Sequence, residues 1–155
     1  MGSNGFSLAE VVTVISIISI GTLVSTPPLL TWKRNAEIRG AAAQLTTSLQ
    51  LARNYALINQ EYVVIRFGVK QYQIFVDNGD GGANPGDWVR SGEETLLCLH
   101  EQPSGVELST SFPYDKFRFK GFGRNQPGTV TMSSINGRSV KIVVNVLGRV
   151  RAEFD

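Results

Sequence analysis

The sequence has almost none of the residues that metal centres and disulfide frameworks require. Its 155 residues include one Cys and one His. One Cys excludes an intramolecular disulfide framework and any multi-Cys metal site, and one His excludes a two-histidine zinc helix. Phosphate-binding loops, serine nucleophile elbows and metal-ligand clusters are also missing from the sequence. We therefore expect no cofactor, no metal and no enzymatic activity.

A large excess of charge of one sign is also lacking, but the charges are unevenly distributed. The chain carries 15 Lys and Arg against 13 Asp and Glu, for a net charge of +2. Seven acids lie between Asp77 and Glu107, whereas eight basic residues and two acids follow from Lys116 onward. With 42% hydrophobic residues the chain can bury the core of one domain. Its basic C-terminal part favours an anionic partner.

No charged residue occurs from Val11 to Trp32. As a helix, this stretch would extend roughly 33 Å, which is enough to cross a bilayer core of about 30 Å. Its Ser and Thr hydroxyls can bond back to the preceding turn. A cleaved signal peptide is a less favoured alternative, because the stretch is long, no basic region precedes it, and Glu10 stands at its start. We therefore predict a transmembrane helix.

The segment Gly5-Phe6-Ser7-Leu8-Ala9-Glu10, followed by this uncharged stretch, resembles the processing site of type IV pilins and type II secretion pseudopilins. The resemblance implies that prepilin peptidase removes a leader, residues 1–5, by cutting between Gly5 and Phe6. Phe6 would then become the methylated N-terminus. Glu10 would pair with the Phe6 ammonium of a neighbouring subunit, an attraction that is strong where water is excluded. The leader has no Lys or Arg, in contrast to most leaders of the family.

Pro27 and Pro28 fall within the apolar part of the chain, where proline bends or ends a helix. The resemblance implies a helix bend at Pro27, and the alternative is a simple helix stop. It further implies that residues 6–30 form a transmembrane and assembly helix that crosses the bacterial inner membrane once. Residues 31–155 would form a periplasmic head, which later becomes part of a pilus or pseudopilus.

After the prolines, one apolar stripe steps by four and three residues and predicts an amphipathic helix over residues 31–59 that packs on a sheet. The stripe consists of Ile38, Ala42, Leu45, Leu49, Ala52 and Ala56. Beyond Gln60, residues 60–155 are rich in strand and turn signals, with hairpins at Gly68–Lys70 and at Asn136-Gly137. The predicted strands are Tyr62–Phe67, Gln71–Val76, Thr95–His100, Val106–Ser109, Phe117–Phe119, Thr129–Ser134, Ser139–Asn145 and Val150–Phe154.

A long helix followed by antiparallel strands is the α+β arrangement, and it is also the arrangement of the pilin fold. Four short segments resemble the GspH/FimT branch of minor pilins and pseudopilins: Phe75–Asp80, Gly86–Trp88, Gly121–Gly123 and Asn145–Arg151. The resemblance implies a structural minor subunit that assembles with other pilin subunits. The parent machine could be a type IV pilus or a type II secretion system.

Basic residues alternate in two of the predicted strands. Arg149 and Arg151 would project to one face and hold phosphates, and Lys116, Arg118 and Lys120 repeat the alternation. If the two strands lie together, they form a patch for the backbone of double-stranded DNA. In the FimT branch a C-terminal Gly-Arg-x-Arg segment is associated with DNA uptake in natural transformation, and Arg149 and Arg151 align with it. The alternative is an edge strand kept charged against aggregation.

Two further clusters of polar residues have both a chemical and an ordinary interpretation. The Gly-rich loop Asp77–Asp87 offers oxygen ligands for calcium, but its spacing is not that of an EF-hand, and a solvated surface loop is the favoured interpretation. Cys98 and His100 share a predicted strand face and could act as nucleophile and base in a periplasmic enzyme. No third orienting group is visible, and Cys98 is better explained as a small core residue.

Overall fold

The computed structural model describes residues 7–82, 84–121, 123–135 and 137–154, except for the side chains of residues 23–28. The chain divides into two compact units, residues 1–34 and 35–155. Gly5 and Phe6, the predicted processing site, lie outside the described residues, and so does the side chain of Pro27. The predictions for these three residues therefore stay predictions.

One long helix, α1, spans Leu8–Asn59. It includes Pro27 and Pro28, so the alternative of a helix stop at these prolines is wrong. Near its start the predicted back-bonding of hydroxyls to the preceding turn is confirmed, with oxygen–oxygen distances of 2.7–2.8 Å. The donors are Thr13, Ser16, Ser19 and Thr22. These bonds satisfy hydroxyls that would otherwise lie unpaired among Val and Ile side chains.

Across the part of the chain that the structure describes, no helix combines the length and the apolar content needed to cross a membrane.

From residue 35 onward α1 buries one face, and the predicted stripe is confirmed at every position. Its six residues are each at most 2% exposed. Ala41 joins them at 4%, while Gln44 and Gln50 remain exposed on other faces. Small Ala residues alternate with Leu along this face, which allows the helix to approach the sheets closely. The amphipathic pattern therefore places this part of the helix in the core.

Eight strands follow the helix in the described ranges. They are β1 (Val63–Phe67), β2 (Gln71–Val76), β3 (Leu96–Glu101), β4 (Val106–Thr110), β5 (Lys116–Phe119), β6 (Gly128–Ser134), β7 (Ser139–Val144) and β8 (Val150–Phe154). All of the predicted strands are present, with ends that differ by at most one residue. Both predicted hairpins are confirmed, since β1 pairs with β2 and β6 pairs with β7, each in antiparallel fashion.

The strands form two four-stranded sheets rather than the single sheet that the sequence led us to expect. Sheet A has the order β3-β2-β1-β5, and sheet B has the order β4-β6-β7-β8. Alternation along a strand identifies its buried face but does not identify its neighbours, which depend on long-range pairing. The two strands predicted to carry a shared basic patch, β5 and β8, lie at edges of different sheets.

Both sheets contribute to one hydrophobic core together with α1. From sheet A, Ile65, Ile74 and Phe117 are fully buried, and from sheet B, Met132 and Ile142 are fully buried. Neighbouring aromatic rings pack along the core, with Phe117 perpendicular to Phe119 at 4.6 Å between ring centroids. The head thus forms a continuous core built on the helix stripe.

Candidate interaction surfaces

The first turns of α1 expose apolar side chains in every direction. Eight large apolar residues between Leu8 and Ile20 are 46–82% exposed. Glu10 lies exposed in the first turn, where its backbone N–H donates to the Ser7 carbonyl at 3.0 Å. Since no other residue between Ser7 and Trp32 is charged, Glu10 supplies the one fixed charge of this apolar surface. Such a surface is suited to burial against other apolar helices or lipid.

The segment before β8 forms a tight turn that presents Arg149. The Asn145 side-chain oxygen accepts the backbone N–H groups of Leu147 and Arg149, at 3.0 and 2.9 Å. The Asn145 N–H donates to the Arg149 carbonyl at 3.0 Å. Because the turn is closed from both sides, the backbone that carries Arg149 is fixed before any partner binds.

Gly148 completes this turn, and only glycine fits there. Its φ of 72° lies in the left-handed region. A Cβ at this position would lie 2.9 Å from the Asn125 Nδ2 atom and 3.4 Å from the Phe119 ring. Asn125 in turn accepts the Lys120 N–H and donates its own N–H to Val146. The glycine of the Gly-Arg-x-Arg segment therefore lets the turn pack against the end of β5.

Arg149 and Arg151 do share one surface, as predicted. Both line a depression of about 500 Å³ together with Val143, Asn145 and Val150. Arg151 is 78% exposed and forms an ion pair with Glu153, two residues along the same strand face. That carboxylate competes with any external anion for Arg151, whereas Arg149 is exposed. The depression can accept an anionic group, with Arg149 as its freer cation.

The second group of predicted DNA-binding residues has a different environment. The Arg118 guanidinium lies between the rings of Tyr62 and Trp88, at 4.3 and 4.4 Å from their centroids, and donates to the Gly86 carbonyl. Lys116 Nζ donates to the Trp88 carbonyl at 3.2 Å. The Arg118 guanidinium is thus held between Tyr62 and the loop that joins β2 and β3, with its Nε atom buried. Its contribution to a DNA-binding surface stays a prediction. Lys120 is exposed.

The Asp77–Asp87 loop is held by buried carboxylates. Asp77 is fully buried and accepts the N–H groups of Gly86 and Trp88 at 2.6 and 3.1 Å. Glu94, 1% exposed, accepts the N–H groups of Gly79 and Ser91. Among the described residues no three His, Cys, Asp or Glu side chains converge as metal ligands. Two buried carboxylates therefore support the loop, so the interpretation of Asp77 as solvated is wrong. No pattern in the sequence indicated the role of Glu94.

Comparison with known proteins relates this architecture to one family. The family model described as type II transport protein GspH matches residues 41–148, which is more than half of the chain. The chain belongs to the GspH family.

Solved GspH-like proteins have the same fold. The minor pseudopilin EpsH from the type 2 secretion system of Vibrio cholerae superposes with a TM-score of 0.60 at 14% identity, covering 76% of this chain and 97% of that one. The type IV minor pilin FimU of Pseudomonas aeruginosa gives 0.59 at 16% identity, covering 79% and 92%. Escherichia coli GspH gives 0.56 at 16% identity, covering 84% and 94%. No curated protein matches the chain.

Family membership confirms the pilin-like α+β fold and the structural role of a minor pilin or pseudopilin that assembles with other pilin subunits. The matched range contains the helix stripe from Ala42 to Ala56 and seven of the eight strands, β1 to β7. It ends at Gly148, one residue before Arg149, and it begins after the apolar part of α1. The family match therefore supports the head itself and leaves Glu10 and the two arginines to be tested separately.

In this GspH-family head, His100 lies in a polar seam between α1 and sheet A that it forms with Gln44, Ser48 and Tyr72, whereas Cys98 packs against the core. His100 Nδ1 lies 2.9 Å from the Gln44 amide nitrogen, and its ring packs on Tyr72. The Tyr72 hydroxyl lies 3.0 Å from Ser48 Oγ. Burial raises the pKa of Tyr72, and the Ser48 hydrogen bond offsets part of that rise. Since His100 is bonded to an amide and Cys98 packs against the core, the seam is a structural contact.

Proposed function

We propose that this chain is a minor subunit of a pilus or pseudopilus, processed between Gly5 and Phe6 and assembled through the first part of α1. The observation that carries the proposal is the exposure of the apolar side chains between Leu8 and Ile20 around a single carboxylate, Glu10. Exposing an apolar surface of this extent to water is unfavourable, and a partner that covers the surface removes this cost. Assembly with other pilin subunits supplies such a partner.

Glu10 is the residue we propose to set the register between subunits. Surrounded by apolar helices, its carboxylate is stable only when a cation lies beside it. The methylated Phe6 ammonium of the neighbouring subunit, produced by prepilin peptidase, has the required charge. A pair of this kind would penalise every register in which the carboxylate remains unpaired.

Substitution of Glu10 tests the pairing. We expect Glu10→Val to reach the membrane at wild-type levels but to be absent from sheared filaments or from the pseudopilus fraction. Glu10→Asp keeps the charge and is the matched control, for which we expect partial incorporation. Wild-type incorporation of Glu10→Val would contradict the pairing, and mass spectrometry showing residues 1–5 still attached would contradict the processing.

We also propose that residues 6–30 anchor the unassembled subunit in the bacterial inner membrane, with the head in the periplasm. The support is the absence of charge from Val11 to Trp32. Alkaline extraction of membranes is the test, and the anchored subunit should stay with the membrane pellet. Release of the intact chain into the supernatant would contradict the anchor.

A second candidate function is capture of double-stranded DNA by the head. It is favoured by one observation, the depression that Arg149 and Arg151 line beside a preformed turn. DNA phosphates would compete with Glu153 for Arg151. Binding should weaken steeply as salt rises, because each phosphate contact releases counterions from the DNA. Lys120 is included because Asn125 joins its segment to the same turn.

Gel shifts with the full chain in detergent test this function. We expect Arg149→Ala to weaken binding about tenfold at low salt, by removing a phosphate contact. Lys70→Ala is the matched control, because it removes an exposed cation from the β1–β2 turn. No shift at low salt, or an equal loss in both variants, would exclude this site.

A further inference from the structure

A second depression, of about 360 Å³, lies on sheet A and is unrelated to Glu10 or Arg149. Trp88, Pro113, Tyr114, Lys116 and Gln126 line it, and we call it the Trp88 cleft. Two aromatic rings and a proline make its walls mostly apolar, while one ammonium and one amide supply polarity. Its volume lies in the range of sites that accept a small ligand or one anchoring side chain.

Trp88 is rigidly positioned at this cleft. Its backbone is in the left-handed region, with a φ of 68°, which is unfavourable for a bulky residue. The conformation is fixed from both sides, since the Trp88 N–H donates to the buried Asp77 carboxylate and the Trp88 carbonyl accepts from Lys116 Nζ. Arg118 lies over one part of the ring. The indole is therefore held in place before any partner binds.

Tyr114 also lines the cleft and is similarly constrained. Tyr114 and Asp115 also have left-handed backbones, with φ of 55° and 54°. The turn is held by the Asp115 N–H, which donates to the Phe112 carbonyl, and by the Thr110 hydroxyl, which donates to the Asp115 carboxylate. Nevertheless Tyr114 is 93% exposed. A strained backbone that holds an aromatic side chain in water gains no burial from it, which is typical of a binding element.

The surroundings of the cleft are cationic. Arg66 is exposed and lies directly opposite Lys116 in the β1–β5 pairing, so two cations are neighbours on one sheet face. Arg118, which lies over the Trp88 ring, is a third cation on this face. Of the two acids next to the cleft residues along the chain, Asp115 lines a separate depression with Thr110. Asp87 keeps its negative charge while it accepts the Val89 N–H, so three cations face one acid. Like charges directly opposite each other destabilise a sheet unless an anion bridges them. Charge complementarity therefore favours an anionic occupant.

We propose that the Trp88 cleft binds an acidic segment of a neighbouring pilin subunit, with an aromatic side chain in the cleft and carboxylates facing Lys116 and Arg66. Aromatic residues and arginine in a preformed pocket are the usual anchors of protein interfaces. The proposal rests on the structural role in assembly given above. It adds a contact between heads, which is independent of the contact that Glu10 makes.

Fluorescence of Trp88 provides the test. In the full chain with Trp32→Phe, in detergent micelles, Trp88 is the one remaining tryptophan. We would titrate it with the capped peptide Glu-Phe-Glu, the cationic peptide Lys-Phe-Lys, the peptide Glu-Ala-Glu and an oligothymidylate. We expect a saturable change in Trp88 fluorescence with Glu-Phe-Glu. Its affinity should be at least tenfold higher than that of either other peptide, because both the ring and the carboxylates contribute.

Three variants localise the binding. Tyr114→Ala should weaken the binding of Glu-Phe-Glu at least tenfold. Arg66→Gln should weaken it about threefold at low salt and have little effect at high salt, where the charge is screened. Lys70→Gln, an exposed cation on the β1–β2 turn, should bind as the parent does. Equal affinity for Glu-Phe-Glu and Lys-Phe-Lys, or no saturation at millimolar peptide, would overturn the proposal.

Tighter binding of the oligothymidylate than of Glu-Phe-Glu would also overturn it, in favour of a nucleic acid partner. Assembly of Glu10 variants is measured on filaments and membranes, whereas this titration uses the isolated chain. A failure of the cleft proposal can therefore be told apart from a failure of the proposed assembly role.

Discussion

Two stretches of α1 contain similar apolar residues but differ in how far these residues are exposed to solvent. Between Leu8 and Ile20, large apolar side chains are 46–82% exposed, whereas after residue 35 a stripe of Leu, Ile and Ala is at most 2% exposed. The second stretch alternates apolar and polar residues with a helical period, and the first is apolar all round. A helix that packs on the core of its own domain needs one apolar face, whereas a helix surrounded by other helices or lipid needs apolar residues on several faces.

The largest effect is expected where the helix faces its own core. Leu45→Ala should lower the free energy of unfolding by about 2–5 kcal/mol, because Leu45 is fully buried and the cavity cannot collapse completely. Leu51→Ala, at a position 52% exposed on the same helix, is the matched control and should change stability by less than about 0.5 kcal/mol. Urea unfolding of the two variants measures the difference. Equal losses would contradict the assignment of the stripe to the core.

The next effect concerns the loop that supports Trp88. Asp77→Ala should cost about 2–3 kcal/mol, since it leaves the N–H groups of Gly86 and Trp88 without their buried acceptor. Asp87→Ala removes an exposed carboxylate from the same loop and should be nearly neutral. Thermal unfolding compares them. A neutral Asp77→Ala would show that the carboxylate does not hold the loop.

A smaller effect is expected at the seam between α1 and sheet A. Tyr72→Phe should cost about 1 kcal/mol through the lost bond to Ser48. Burial raises the pKa of Tyr72, so the neutral phenol is favoured in the folded state. The contribution of the Tyr72 phenol to the free energy of unfolding is complete below pH about 10. It is lost as the pH rises further, because Tyr72 ionises first in the unfolded chain. Urea unfolding measured between about pH 8 and 11 spans the ordinary tyrosine pKa of about 10. Over this range the free energy of unfolding should fall less steeply in the variant than in the parent.

The smallest effect on folding is expected in the exposed stretch. Ile17→Ala should change the stability of the head by less than about 0.5 kcal/mol, because Ile17 is 65% exposed. The same substitution should still reduce incorporation into filaments, where the side chain would be covered. If Ile17→Ala destabilised the isolated chain as Leu45→Ala does, the contrast between the two stretches would be lost.

Local patterns predicted most of the fold. The stripe from Ile38 to Ala56 and the eight strands depend on periodicity and turn residues, which act over a few positions. The division into two sheets could not be predicted, because it depends on which distant strands pair. For the same reason the sequence grouped Arg118 with Arg151, although their strands lie in different sheets.

The candidate sites were predictable only where residues are close in the sequence. Arg149 and Arg151 share a depression because two residues of one strand share a face. The Trp88 cleft joins three distant segments, around Trp88, Tyr114 and Gln126, and no local pattern relates them. Asp77 and Glu94 have acidic side chains, which are usually solvated, so their burial follows only from the folded loop.

Photo-crosslinking in cells tests most directly whether the exposed apolar stretch is covered by other subunits. A photoreactive phenylalanine would replace Ile17, and Ile58, 79% exposed near the end of α1, would serve as the control position. We predict adducts between position 17 and the N-terminal helices of other pilin subunits, identified by mass spectrometry and lost in Glu10→Val. Adducts to lipid alone, or the same adducts from position 58, would contradict assembly through this stretch.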